Sequence, residues 1–187
     1  MNTKEQILEI ATRLIQEKGD LGWSYADIAK EIGIKKASIH YHFPSKEDLI
    51  EAATEMYVEN ALSLFEEVTM DSNLNCEEQL RAIFNCYRVV FMEKGKLCLC
   101  ITLSQDLNRQ SKLIFKKIDV FFKNLHKKLE KIITKGIEQK QFKKNINPIQ
   151  LATVFLSMLQ GLIVISEYNW SSKDYDLCFQ EILTLIK

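Results

Sequence analysis

Residues 24–43 read SYADIAKEIGIKKASIHYHF. The spacing predicts two short helices joined by a tight corner. Ala29 stands four residues before Gly33, and Gly33 six before Ile39. Helices that cross closely need a small side chain at the crossing, a corner residue that tolerates positive φ, and an apolar anchor on the second helix. Ala29, Gly33 and Ile39 supply these three. The second helix then presents cationic and aromatic groups on a rigid rod held away from its own domain. Such a rod fits the major groove of DNA.

Working outward, Thr3 and Gln6 are expected to cap a first helix. Ile7, Ile10, Ala11, Leu14 and Ile15 follow the stripe of one buried face. Gly19 ends that helix. Ser24 with Asp27 opens Tyr25–Ile32, and a third helix runs from about Lys36 to His42, stopping before Pro44. Ser45 with Asp48 starts a long helix of about Lys46–Val68. Phe43, Ile28, Ala29 and Ile39 are read as core. The long helix leaves the small domain without a flexible linker, so it would carry a tilt in the second domain directly to the first.

Beyond the polar break Met70–Asn75, helices are expected at Glu77–Met92, Leu97–Leu103, Gln110–Gln139, Pro148–Glu167 and from Ser171 or Ser172 to Ile186, with a turn at Lys94–Lys96. Asn147 and Pro148 form a cap and first-turn proline. The Pro148–Glu167 helix is apolar nearly all round and is expected to be buried. With two prolines, six glycines and no alternating apolar–polar run, the chain is assigned an all-α fold. The domains are placed at residues 1–50 and 51–187.

The chain has 187 residues and no formal net charge. A neutral total exerts no overall pull on nucleic acid, so any such affinity has to be local. Residues 1–60 hold seven Lys/Arg against eleven Asp/Glu, whereas residues 30–46 hold Lys30, Lys35, Lys36 and Lys46 against Glu31 alone. Five cysteines make no even disulfide framework, and the start MNTKEQ already reads as helix. Val154–Ile165, the most apolar stretch, is too short to span a bilayer. A cytoplasmic, reduced protein without membrane attachment is expected.

The pattern resembles the N-terminal domain of the TetR/AcrR family of bacterial transcriptional regulators. It is carried by Ile7…Ala11, Gly19, Ser24–Ala29, Gly33-Ile34, Ala37-Ser38-Ile39 and His42–Leu49, the last run being the most distinctive. Two positions depart from it: His40 stands where an aromatic is usual, and Ala37 where glycine is frequent. The resemblance implies an N-terminal helix-turn-helix domain joined by a long helix to a helical effector-binding and dimerisation domain. It implies a homodimeric repressor on a palindromic operator, released when an effector tilts the long helix.

The residues assigned to DNA are Ser24, Tyr25, Lys35, Lys36, Ala37, Ser38, His40, Tyr41, His42 and Lys46. A helix that enters the groove by its N-terminal end brings its first residues to base edges and phosphates. Lys36 can donate to guanine and Ser38 to either partner type. Ser24, Tyr25, Tyr41 and Lys46 suit phosphates, which position without specifying; His42 suits either a phosphate or the helix end. The competing reading is a solvated lysine pair beside a structural aromatic.

Phe84, Tyr87, Phe91, Phe115, Phe121, Phe122, Phe155, Met158 and Trp170 make the second domain rich in large apolar groups. Helix-spaced aromatics are ordinarily core. By resemblance some wall a cavity for a small apolar or amphipathic effector, and Cys86, Tyr87 and Met158 are assigned to that wall. Leu151, Val154, Leu159, Leu162 and Ile163 exceed what one thin domain can bury, and Gly161 permits close helix approach. By resemblance the last two helices pair with those of a second chain, placing two recognition helices one DNA turn apart.

Cys98 and Cys100 lack the second ligand pair of a structural zinc site, and residues two apart on a helix do not face the same way. They are read as buried apolar thiols. His40 and His42 have no third ligand nearby, so no metal and no cofactor is assigned. No nucleophile elbow or glycine-rich phosphate loop is present, and an enzyme is not expected. The alternative to a ligand-controlled repressor is an architectural or protein-interacting DNA-binding factor.

Overall fold

The computed structural model describes residues 2–71, 73–89, 97–105, 111–166, 168 and 171–187, apart from the side chains of residues 166 and 172. Among the described residues every regular element is helical: α1 (Thr3–Lys18), α2 (Tyr25–Ile32), α3 (Lys36–His42), α4 (Lys46–Met70), α5 (Cys76–Tyr87), α6 (Leu99–Ser104), α7 (Lys112–Glu138), α8 (Pro148–Ser166) and α9 (Ser172–Ile186). The expected helix limits at Met92, Gln110 and Glu167, the turn at Lys94–Lys96, and Phe91 and Trp170 lie outside the described residues.

The caps explain the helix starts. Asn2, not Thr3, caps α1: its side chain accepts from the Glu5 amide at 3.0 Å and its own amide donates to Glu5 at 2.9 Å. Both Asn2 and Thr3 have a partner at the right offset, and the box one residue earlier wins because its asparagine takes extended backbone (φ −84°, ψ 167°). Ser45 and Asp48 exchange amide bonds of 2.9 and 3.1 Å at the start of α4. Asn147 receives the amides of Ile149 and Gln150 at 3.1 Å, both just after Pro148. Asn75 with Glu78, and Ser171 with Asp174, cap α5 and α9 in the same way.

Packing divides the chain into two compact units. One comprises Met1–Ala61 and Leu97–Phe121, the other Leu62–Lys96 and Phe122–Lys187. The sequence division proposed near residue 50 falls earlier than the division by packing, which lies within α4 and assigns α6 and the start of α7 to the first unit. In that unit α1 packs on α2 and on α6, and α2 packs on α3. Ile7, Ala11, Ile15, Ile28, Ile39 and Leu49 are wholly buried.

In the second unit α5 packs on α9. Phe84 lies 4.3 Å from Tyr175 and 4.5 Å from Phe179, ring centre to ring centre. One expectation is corrected here. Helix α8 is not buried all round: Ala152, Phe155, Leu159, Leu162 and Ile163 face inward, while Ile149, Val154, Val164 and Ile165 are exposed. Its outer face is not covered by the described residues. Of the five apolar residues thought too many for one domain, Leu159, Leu162 and Ile163 do fit inside. Pro148–Ile165 also forms an 18-residue helix of mean hydropathy 1.8, long and apolar enough to cross a membrane by length and composition, with 28% of it buried.

Gly33 takes the left-handed conformation at the α2–α3 corner (φ 80°, ψ 30°), and its amide donates to Ala29 O at 3.0 Å. Space is open around it, so a substitution there tests backbone strain alone. Gly33→Ala should lower unfolding free energy by about 1–2 kcal/mol, and Gly33→Asn by less, because asparagine visits this conformation more readily. Urea denaturation followed by circular dichroism measures both.

Candidate nucleic-acid interface

Helix α3 has seven residues, too few to be stable alone. Ile39 and Phe43, one turn apart, fix its inner face, with 0% and 3% of their surfaces exposed. Lys36, Ala37, His40 and Tyr41 consequently point outward. Tyr41 is 84% exposed, an unusual state for a tyrosine with no contact that requires it. Ser38 and His42 are half-buried, and Lys35 is exposed at the N-cap. Ala37, Ser38, Tyr41 and His42 line an open surface depression of about 490 Å³ together with Ile34 and Thr3. Thr3 was missed by the sequence reading. It lies on α1, and only tertiary packing brings it beside α3.

His40 sits against the Tyr25 ring, 4.7 Å between centroids. Its Nδ1 is 3.3 Å from the Pro44 carbonyl. A carbonyl only accepts, so Nδ1 carries the proton and Nε2 is left to meet a base edge or phosphate. Lys46 is tied inward: its ammonium donates to Trp23 O at 2.6 Å and stands 4.1 Å from the Trp23 ring centre. Trp23 was also missed, although an aromatic two residues before a helix start is a legible signal for a packing partner.

Two assignments to phosphate change. Tyr25 is 5% exposed, and its hydroxyl lies within bonding reach of the carbonyls of Phe43, at 2.9 Å, and Ser45. It ties α2 to the α3–α4 junction and does not face solvent, because one apolar ring position in a helix this short has to serve the core. Ser24 is exposed, but its amide and hydroxyl donate to Asp27 at 2.7 and 2.8 Å. These bonds hold the Asp27 carboxyl below the usual carboxylate range. Ser24 is a helix cap whose donors are already committed.

In the second unit, Tyr87 is buried, and Gln160 Nε2 donates to its hydroxyl oxygen at 2.8 Å. Its ring meets Phe65 edge-on at 5.7 Å. Cys86 is half-buried, and burial pushes its thiol up. Met158 is half-buried at the edge between the inward and outward rows of α8. The Oε1 of Gln160 and the hydroxyl of Tyr175 are buried and find no hydrogen-bond partner among the described residues.

Two family models match the chain: "Bacterial regulatory proteins, tetR family" over residues 7–53, and "Tetracyclin repressor-like, C-terminal domain" over residues 76–181. The chain belongs to the TetR family. Among relatives of this TetR-family protein, the biofilm operon icaADBC negative transcriptional regulator IcaR of Staphylococcus aureus is 28% identical over 157 residues, 82% of this chain and 80% of IcaR. The nucleoid occlusion factor SlmA of Shewanella frigidimarina is 22% identical over 163 residues, 87% and 82% of the two chains. A TetR transcriptional regulator from Legionella pneumophila superposes with a TM-score of 0.86 at 28% identity, covering 100% of this chain and 98% of that one. The protein is a TetR-family DNA-binding transcriptional regulator.

Burial pushes the Tyr25 phenol up to about 12, so the neutral form is favoured in the folded state. A raised acid pKa contributes stability below the unfolded value near 10 and loses it as pH climbs to the folded value. Tyr25→Phe should cost about 0.5–1.5 kcal/mol at neutral pH through the lost hydroxyl bond. It should also flatten the fall in stability between pH 10 and 12. Urea midpoints across that range, compared with wild type, measure the effect.

Proposed function

We propose that this regulator is a cytoplasmic homodimeric repressor that binds a palindromic operator and is released by a small effector. The observation that carries the DNA half is the one-sidedness of α3: the inner anchors are buried to the last few per cent, while Lys36, Ala37, His40 and Tyr41 stand in solvent. Tyr41 meets the neighbouring His42 ring edge-on at 5.3 Å and otherwise faces solvent. Lys35, Lys36, Ala37, Ser38, His40 and Tyr41 are the residues proposed to meet DNA directly. His42 faces the same depression as Tyr41, and Lys46, at the first position of α4, is proposed as a phosphate contact. The description of IcaR as a negative regulator supports repression.

The outer row of α8 supports the dimer. Val154, Gly161 and Ile165 follow one another at helical spacing, and a Cβ at Gly161 would meet no described residue within 4 Å. Leu177 and Leu185 of α9 are exposed as well. A twofold pairing of these faces buries apolar surface that a lone chain leaves in water.

The orphaned Gln160 Oε1 and Tyr175 hydroxyl support an effector: buried polar groups left without partners are costly and are satisfied by something that enters. Tyr87, through Gln160, joins this group, and Cys86 and Met158 flank it in the proposal. The effector then carries a polar group among rings. Helix α4, continuous from Lys46 to Met70, contributes to both units and is the element proposed to transmit the change. A second reading, a DNA-bound factor with a protein partner, draws support from the relation to SlmA.

Selection of duplexes from a random pool should yield an inverted repeat. Lys36→Ala should weaken binding to it by about 1–3 kcal/mol and relax preference at one position in each half-site; an equal loss on all sequences would make Lys36 a phosphate contact. Val154→Asp should raise the dimer dissociation constant roughly tenfold or more, read by sedimentation velocity, since a charge placed in an apolar interface has no partner.

A further inference from the structure

Cys98 and Cys100 are both buried, 1% and 0% exposed. Inside a helix, side chains two residues apart diverge. These meet because Cys98 lies outside the helix: it is the N-cap of α6, with extended backbone (φ −60°, ψ 126°). The Cys100 thiol faces the Cys98 sulfur. From α4, the Tyr57 hydroxyl donates to the same sulfur over 3.5 Å. The peptide N–H groups of Cys100 and Ile101 also face it. The Tyr57 hydroxyl gives the Cys98 sulfur a donor that favours its thiolate, while the adjacent sulfur and burial push the Cys100 thiol up. The other thiols lack this arrangement: burial pushes Cys76 and Cys86 up.

The pair is joined to the DNA-reading helices through α1. The Leu97 carbonyl, adjoining Cys98, accepts from Gln16 Nε2 of α1 at 2.7 Å. Helices α1 and α6 pack together, and α1 supplies Thr3 to the depression beside α3. We propose that Cys98 and Cys100 form a dithiol that a hydroperoxide closes to a disulfide, loosening α6 from α1 and weakening DNA binding. The Cys98 thiolate attacks the peroxide oxygen; the S–O bond forms, the O–O bond breaks, and the departing hydroxide takes the proton that Cys98 released. The Cys100 sulfur then attacks the sulfenic sulfur; the S–S bond forms, the S–O bond breaks, and water leaves with the proton of Cys100. Two thiols lose two protons and two electrons, and hydrogen peroxide takes up both to become two waters. Closing the bond draws the sulfurs to about 2.05 Å. That pulls the cap residue, and the Leu97 carbonyl with it, away from Gln16. Burial of both sulfurs shuts out an oxidant as bulky as glutathione disulfide.

The effect on DNA rests on the DNA-binding reading of α3; the thiol chemistry does not. The test treats the full-length reduced protein with hydrogen peroxide or glutathione disulfide. After peroxide, the tryptic peptide Leu97–Arg109 should be two hydrogens lighter, reversibly with dithiothreitol; after glutathione disulfide it should be unchanged. Affinity for the duplex selected by the reduced protein should fall roughly fivefold or more. Cys100→Ser should prevent closure and leave a Cys98 sulfenic acid that dimedone traps, and Cys98→Ser should show neither. The proposal is overturned if that peptide stays unchanged while those holding Cys76, Cys86 or Cys178 are oxidised, or if the disulfide forms and affinity holds. Reduced protein that selects no duplex would overturn the DNA-binding reading instead, and the peptide mass would still decide the thiol chemistry.

Discussion

The anchoring of α3 by Ile39 and Phe43 is the constraint on which the regulator depends. Seven residues cannot sustain a helix in water, because nucleation costs more than so few hydrogen bonds return. Burying the two anchors supplies the difference, at about 1.5–3 kcal/mol for each large apolar side chain. The neighbouring devices serve the same end. Gly33 turns the corner without strain, Tyr25 bonds at the junction beyond Phe43, and the Ser45–Asp48 box starts α4 afresh. With rigidity supplied from below, outward residues such as Lys36 and Ala37 do not have to hold the helix in place.

Local charge follows from pairing, not from totals. The N-terminal sixty residues hold more acids than bases, an unpromising balance for a polyanion partner. Arg13 engages both Glu17 and Glu31, and Lys117 reaches Glu51 and Glu55 at 3.7 and 3.2 Å. Exposed pairs of this kind contribute little to stability. Their consequence here is electrostatic: four carboxylates near the reading helices are partly neutralised, which leaves the field of Lys35 and Lys36 less opposed.

How much was legible in the sequence depended on the range of the interaction. Caps, breakers and anchors act over three or four residues, so Ser45–Asp48, Asn147–Pro148, Gly33 and the pair Ile39 and Phe43 could be read directly. Asn2 against Thr3 shows the limit even there, since two overlapping boxes differ only in backbone geometry. Residues that need a distant partner were hidden. Nothing local says that Thr3 reaches the surface beside α3, or that the Tyr25 ring turns inward while Tyr41 turns outward. The exposed face of α8 was misread for a related reason: periodicity shows that a helix is apolar all round, but not whether its own chain covers every side.

The thiol pair extends that lesson to the boundary between helix and loop. A helical register applied to Cys98 and Cys100 puts their sulfurs on different sides, and α6 does begin between them. One residue of extended backbone at the cap changes that geometry, so that the Cys98 sulfur meets the Tyr57 hydroxyl on one side and faces Cys100 on the other. Because α6 has only six residues, it has little internal resistance to a change at its first turn. Its hold on α1 includes one bond from Gln16 to a carbonyl that belongs to the same non-helical stretch. A displacement at the cap is therefore not absorbed within α6. It passes to α1, whose buried face also supports α2 and, through it, the short helix that reads DNA.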